Sequence, residues 1–177
     1  MTPQTHETSY RLEGIAFGLA DGLIMSLGLI VGVAEATTDA RLVMIAGVIG
    51  GFANAFGNSI GFFMSQSAER GLQIHEVTEH SVKTKVHSQR EIYSNSLLAF
   101  AFSIIISIVL LSPFIFFGMT TAVIVAFVLG VLVAFALGIY VGKISNENRW
   151  ACGLKYAIIA LMGAIVSHLI ADLIVAI

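Results

Sequence analysis

Charged residues are scarce in this sequence, with nine Lys or Arg and eleven Asp or Glu, together 11% of 177 residues. Hydrophobic residues make up 57%, and the mean hydropathy is +0.92. A water-soluble domain of this size could not cover so much apolar surface with so few charges. We therefore expect a membrane protein. The net charge of −2 gives no reason to expect a nucleic-acid partner.

Cysteine is almost absent as well. The single Cys152 excludes an intrachain disulfide and a zinc site built from several thiolates. The pattern of a cleaved signal peptide is also missing, because the first apolar run is full length and follows a polar segment. We expect that run to be retained as a membrane span.

Five predominantly apolar runs are each long enough, at about 20 residues, to cross a hydrocarbon layer about 30 Å thick. They lie at about residues 14–34, 42–64, 97–117, 121–142 and 153–175. The short connections leave no room for a separate soluble domain, so the sequence predicts a single all-α transmembrane domain over residues 1–177. Residues 66–95 contain no proline and are predicted to form a cytoplasmic helical hairpin.

Basic residues fall unevenly about these spans. If the spans alternate in direction, one side carries Arg11, Arg70, Lys83, Lys85, Arg90, Lys143, Arg149 and Lys155, and the other carries only Arg41. The positive-inside rule then places the N-terminus in the cytoplasm and the C-terminus outside.

Asp21 is the only charged residue of the run from Phe17 to Gly32. An ionised side chain near the bilayer centre costs at least about 2.5 kcal/mol, so it persists mainly where it binds a cation, carries a proton or pairs with another charge. No Lys or Arg in the other runs lies at a matching depth. This favours a mobile cation or a proton as the partner of Asp21.

Further oxygen and sulfur ligands accompany Asp21. Met25 lies one helical turn beyond it, and the second span carries Asn54 and Asn58 among small residues. Carboxylate and amide oxygens suit magnesium, calcium or manganese, and a thioether extends the range to softer ions. One chain supplies few donors, so we expect a homodimer whose twofold axis doubles them. Alternatively, the asparagines only form hydrogen bonds between packed helices.

Small residues follow the same face of the first span as Asp21. The stripe consists of Gly14, Gly18, Gly28 and Gly32. Because small residues let helix backbones approach closely in membranes, we expect this stripe to be the face along which two copies associate.

The predicted hairpin carries possible metal ligands at Glu69, His75, Glu76, Glu79 and His80. Their spacing does not match the His-Glu-x-x-His motif of metalloproteases. They form either a site that captures metal or a solvated helix face with a Glu79 to Lys83 pair. In the last span, His168 and Asp172 lie one turn apart, and Asp172 is either an interfacial cap or an exit group for protons or metal.

Two segments carry a resemblance to a known family. G18-L-A-D-G-L-I-M25 and A53-N-A-F-G-N-S-I-G-F-F-M-S65 resemble the first two spans of the vacuolar iron transporter family. The resemblance implies a multi-pass transporter, not an enzyme, without a tightly bound cofactor. It also implies a homodimer that exports ferrous iron, manganese or a similar divalent cation from the cytoplasm in exchange for protons, with Asp21 on a path at the dimer axis.

This sequence departs from the family pattern in two ways. Asn58 stands where the family commonly has Met, and the segment after the second span is shorter than the glutamate-rich module of eukaryotic members. We therefore expect a small prokaryotic member, located in the plasma membrane. The competing hypothesis is a scaffold subunit without transport activity, in which Asp21 and Asn58 only fix helix association.

Overall fold

The computed structural model describes residues 3–80 and 86–177, with side chains from residue 12 onward except that of His80. These residues form helices and no strands. The helices are α1 (Pro3–Ala36), α2 (Ala40–His80), α3 (Gln89–Leu111), α4 (Pro113–Phe116), α5 (Met119–Ile144) and α6 (Arg149–Val175). All except the four-residue α4 are long and apolar enough to cross a membrane. The prediction of an all-α protein with five spans is confirmed.

The second helix is much longer than a membrane requires. α2 has 41 residues, so it is about 60 Å long, twice the thickness of the hydrocarbon layer. The region predicted as a hairpin therefore starts as an unbroken continuation of α2 and ends as the beginning of α3. Residues 81–85, which include Lys83 and Lys85, lie outside the described residues.

Polar side chains define where two of the helices begin. Ser88 caps α3, because its hydroxyl accepts from the Glu91 backbone N–H while the Glu91 carboxylate accepts from the Ser88 backbone N–H. Asn148 caps α6 through its side-chain oxygen. Both caps lie at the end of the bundle that also holds the extension of α2. We call it the inner end, after the predicted orientation.

Glycines bring α1 into backbone contact with α3 of the same chain. Gly14, Gly18 and Gly22, spaced four residues apart, lie directly against the backbones of Asn95, Ala99 and Ser103, respectively. Nearer the outer end, a Cβ on Gly28 would lie 2.7 Å from the Ser167 hydroxyl of α6. The prediction that this stripe joins two copies was wrong for Gly14 and Gly18, because α3 of the same chain covers them.

Apolar side chains of α1, α3 and α5 form the core of the outer half of the bundle. Leu23, Leu27 and Ile30 of α1 are buried there, together with Leu110 and Ala126. Beside this core, the buried Ser26 hydroxyl donates to that of Ser107 at 2.8 Å. α6 is the most peripheral helix, since only 11% of its most apolar stretch is buried, compared with 44% for α3.

Candidate cation site between the first two helices

The antiparallel helices α1 and α2 meet along a seam of three side-chain layers. At the inner end Glu13 contacts Gln66, and at mid-helix Asp21 contacts Asn54. Between them, the rings of Phe17 and Phe62 stack with their centroids 4.9 Å apart. A pair of aromatic rings therefore separates two carboxylates along the same seam.

Asp21 is half-buried and is held by an amide. Asn54 Nδ2 donates to Asp21 Oδ2 at 2.5 Å, and Asn58 Nδ2 donates to Asn54 Oδ1 at 3.4 Å. Within residues 12–79 and 86–177, no other side chain donates to Asp21, and no Lys, Arg or His lies within ion-pair distance of it. The carboxylate thus has a neutral partner and, among the described side chains, no fixed counter-charge.

Met25 extends this group by one helical turn. Its Cε lies 3.1 Å from the position that a Cβ on Gly50 of α2 would occupy. The absence of a side chain at Gly50 leaves room for the thioether at the seam. The four predicted ligands Asp21, Met25, Asn54 and Asn58 are therefore brought together on neighbouring turns of two helices.

The Asn54 amide presents its nitrogen, and not its oxygen, to Asp21. Its amide N–H₂ points at Asp21, and only its oxygen could bind a metal ion. A half-turn of the amide exchanges oxygen and nitrogen at almost no steric cost. A cation at Asp21 could then be bound by a carboxylate oxygen and the Asn54 carbonyl oxygen, with Met25 sulfur one turn away.

One side of this seam is open in the single chain. Gly57 and Gly61 of α2 are exposed, and no atom lies within 4 Å of where their Cβ atoms would be. Large apolar side chains at Phe56, Ile60 and Met64 are exposed on the same stretch of helix. Asn54 and Asn58 are therefore bordered by a surface that one copy of the chain does not cover.

The other predicted ligands lie far from Asp21, on the extension of α2. His75 is 21 residues beyond Asn54 on the same helix, a separation of about 32 Å. Its Nε2 lies 3.4 Å from Glu79 Oε2, and both side chains are more than half exposed. Glu69 accepts from Gln73 at 3.1 Å.

These residues do not converge on one point in the described part of the chain. Among the described side chains, no three His, Cys, Asp or Glu residues lie close enough together to hold a metal ion. Glu76 is exposed, and the side chain of His80 lies outside the described residues. Metal capture by this segment stays a prediction.

Two polar contacts were not found by sequence reasoning. At the outer end, His168 Nδ1 lies 3.1 Å from Glu35 Oε2, and both side chains are substantially exposed. At the inner end, Glu13 bonds to Gln66. The second contact has a sequence signal, because Glu13 lies eight residues before Asp21 and Gln66 twelve residues after Asn54, so both lie toward the inner end of two antiparallel helices.

A family model described as the VIT family matches residues 12–95, which include α1 from Leu12, all of α2 and the start of α3. An uncharacterized protein of Methanocaldococcus jannaschii is 30% identical over 165 residues, covering 88% of this chain and 86% of the relative. The chain belongs to the VIT family. This VIT protein is accordingly assigned to a family of membrane metal transporters, and its five apolar helices agree with an integral, multi-pass membrane protein.

Proposed function

We propose that this protein exports a divalent metal cation, ferrous iron or manganese, from the cytoplasm in exchange for protons. The main support is the environment of Asp21. It is a half-buried carboxylate within a helix long enough to span the membrane, and its only described side-chain partner is the neutral Asn54. A fixed cation would remove the electrostatic reason for binding an ion. Its absence around Asp21 within the described residues leaves the charge available to a mobile cation.

Proton exchange follows from the same carboxylate. Once the metal ion leaves, a bare charge within the membrane is unfavourable, and protonation removes it. Metal and proton would therefore occupy Asp21 in turn. Asn54 can accompany both states, since its amide can present either nitrogen or oxygen to the carboxylate.

The exposed face of α2 supports a homodimer with its path at the twofold axis. Gly57 and Gly61 would allow a second α2 to approach closely. Such an arrangement would place two copies of Asp21 and Asn54 along one path and double the oxygen ligands. We place the protein in the plasma membrane, with the inner end in the cytoplasm as the basic residues predict.

Metal uptake into proteoliposomes by Asp21→Asn tests this proposal. Uptake should fall at least about tenfold, because each 1.4 kcal/mol of lost cation stabilisation is a factor of ten. The amide conserves volume, so the protein should remain folded.

Asp39→Asn is the matched control. Asp39 lies between α1 and α2 and accepts from the Arg41 backbone N–H at 2.8 Å, a role that Asn can also fill. This variant should transport normally. Full uptake by Asp21→Asn would remove Asp21 from the mechanism, and no uptake by the unmodified protein would favour the scaffold hypothesis.

A further inference from the structure

Three side chains from three helices form a hydrogen-bonded row at the inner end. Gln66 Nε2 of α2 donates to Glu13 Oε2 of α1 at 3.0 Å, and Asn95 Nδ2 of α3 donates to Gln66 Oε1 at 3.5 Å. Gln66 is 6% exposed and Asn95 only 1%, whereas Glu13 is exposed. We call Glu13, Gln66 and Asn95 the amide relay, because two buried amides lead inward from an accessible carboxylate.

Packing alone does not account for this row. Asn95 Oδ1 is buried, and within the described part of the chain no group donates a hydrogen bond to it. An unpaired buried polar atom costs about 1 to 3 kcal/mol. An apolar residue at position 95 would avoid that cost, so the presence of an amide requires another explanation.

The charged groups nearest the relay leave Glu13 without an ionic partner among the described side chains. Glu69 of α2 accepts from Gln73, Arg70 donates to the His87 carbonyl, and Glu91 of α3 closes the cap with Ser88. Arg90 of α3 is exposed, and on α6 Lys155 lies at the same end of the bundle. The described side-chain contact of Glu13 is therefore the hydrogen bond from Gln66.

The hydrogen bonds of the relay can point in either direction along the row, because a half-turn of a side-chain amide exchanges its donor and its acceptor. Ionised Glu13 only accepts, so Gln66 donates to it, Asn95 donates to Gln66, and Asn95 Oδ1 is left unpaired, as observed. Protonated Glu13 would donate to Gln66 Oε1. Gln66 Nε2 would then donate to Asn95 Oδ1 and leave Asn95 Nδ2 unpaired.

Each arrangement leaves one amide atom of Asn95 without a partner. The number of hydrogen bonds within the relay is the same in both, so the relay itself favours neither direction strongly. Protonation of Glu13 adds a donor where only acceptors were present, and it therefore shifts the population toward the reversed arrangement.

We propose that Glu13, Gln66 and Asn95 form a proton-binding relay, in which protonation of Glu13 reverses both amide hydrogen bonds. A divalent cation prefers six or more oxygen ligands, and the relay offers one carboxylate and a single amide oxygen toward it. The stacked Phe17 and Phe62 separate this site from Asp21. The relay is independent of whether the protein moves metal.

Side-chain amide NMR of the full chain in micelles, with ¹⁵N-labelled Gln and Asn, tests the relay. On titration with acid, the Gln66 and Asn95 NH₂ resonances should shift together, with one midpoint shared by the ¹³C resonance of the Glu13 carboxyl group. In Glu13→Gln no group that can be protonated remains at position 13. The Gln66 and Asn95 resonances should then no longer shift together on titration with acid.

Glu69 and Gln73 provide the matched control, because they form a similar carboxylate–amide pair at 3.1 Å on the exposed extension. The Gln73 resonance should titrate on its own and be unaffected by Glu13→Gln. A Gln66 resonance that shifts without Asn95, or shared shifts that persist in Glu13→Gln, would overturn the relay. So would the same shifts on adding Zn²⁺ at fixed pH, which would indicate a cation site. If Glu13→Gln does not fold, the titration of the unmodified protein still tests the relay. Different midpoints for the Glu13, Gln66 and Asn95 resonances would exclude it.

Discussion

At the scale of single residues, two carboxylates of α1 have side-chain amides as their partners. Asp21 is bonded to Asn54 and Glu13 to Gln66, and both pairs lie on the seam between α1 and α2. An amide can serve an ionised carboxylate as a donor and a protonated or metal-bound one as an acceptor. Such a partner keeps the charge of the carboxylate available, which a lysine or arginine would not.

Asn58 is the residue at which ion preference should be adjustable. Its amide donates to Asn54, which in turn donates to Asp21. Asn58→Met would replace a hard amide by a soft thioether and should raise the ratio of iron to calcium uptake severalfold. Uptake of the two ions by proteoliposomes measures this ratio.

Met25→Leu is the reciprocal variant. Because it removes the sulfur next to Gly50 while keeping an apolar side chain, it should lower the same ratio. If neither substitution alters the ratio, side chains at positions 25 and 58 do not contribute to ion selection.

At the scale of helices, small residues serve two different surfaces. Gly14, Gly18 and Gly22 of α1 are covered by α3, whereas Gly57 and Gly61 of α2 are uncovered. The length and hydropathy of each helix could be read from the sequence, because they depend on local composition. The surface that packs against each glycine face could not be read from the sequence. A stripe of small residues has the same spacing whether it contacts another helix of its own chain or a second copy.

Gly18→Leu and Gly57→Leu should therefore have different effects. Leu at position 18 would meet the backbone of Ala99, so it should destabilise the fold by about 1 to 3 kcal/mol or prevent folding. Leu at position 57 meets nothing in one chain and should leave the helices intact while weakening the dimer. Circular dichroism melting and light scattering in detergent measure the two effects.

Gly71→Leu is the control for both. Gly71 also lies on α2 with nothing within 4 Å, but on the extension beyond the apolar stretch. It should leave the mass unchanged, and it should not lower the melting temperature, because Leu is a better helix former than Gly. Loss of the dimer on Gly18→Leu with an unchanged melting temperature would contradict the packing described for α1.

At the scale of the whole molecule, one chain forms a bundle of five apolar helices with the candidate cation site beside the exposed Gly57 and Gly61. The proximity of Asp21, Met25, Asn54 and Asn58 could be predicted from the sequence, because their spacing along two helices places them on facing sides. The sequence did not identify Glu13, Gln66 and Asn95 as a group. Their contact depends on the register of three helices, and Asn95 lies on α3, whose pairing with α1 is not encoded in either helix alone.

The most direct test of the central claim is a paired recording of metal uptake and internal pH in proteoliposomes. In vesicles containing the unmodified protein, uptake of ferrous iron or manganese should be accompanied by proton release from the lumen, and an imposed proton gradient should drive uptake. Asp21→Asn should abolish both signals together. Metal uptake with no proton movement, or proton-coupled uptake that survives Asp21→Asn, would contradict exchange at Asp21.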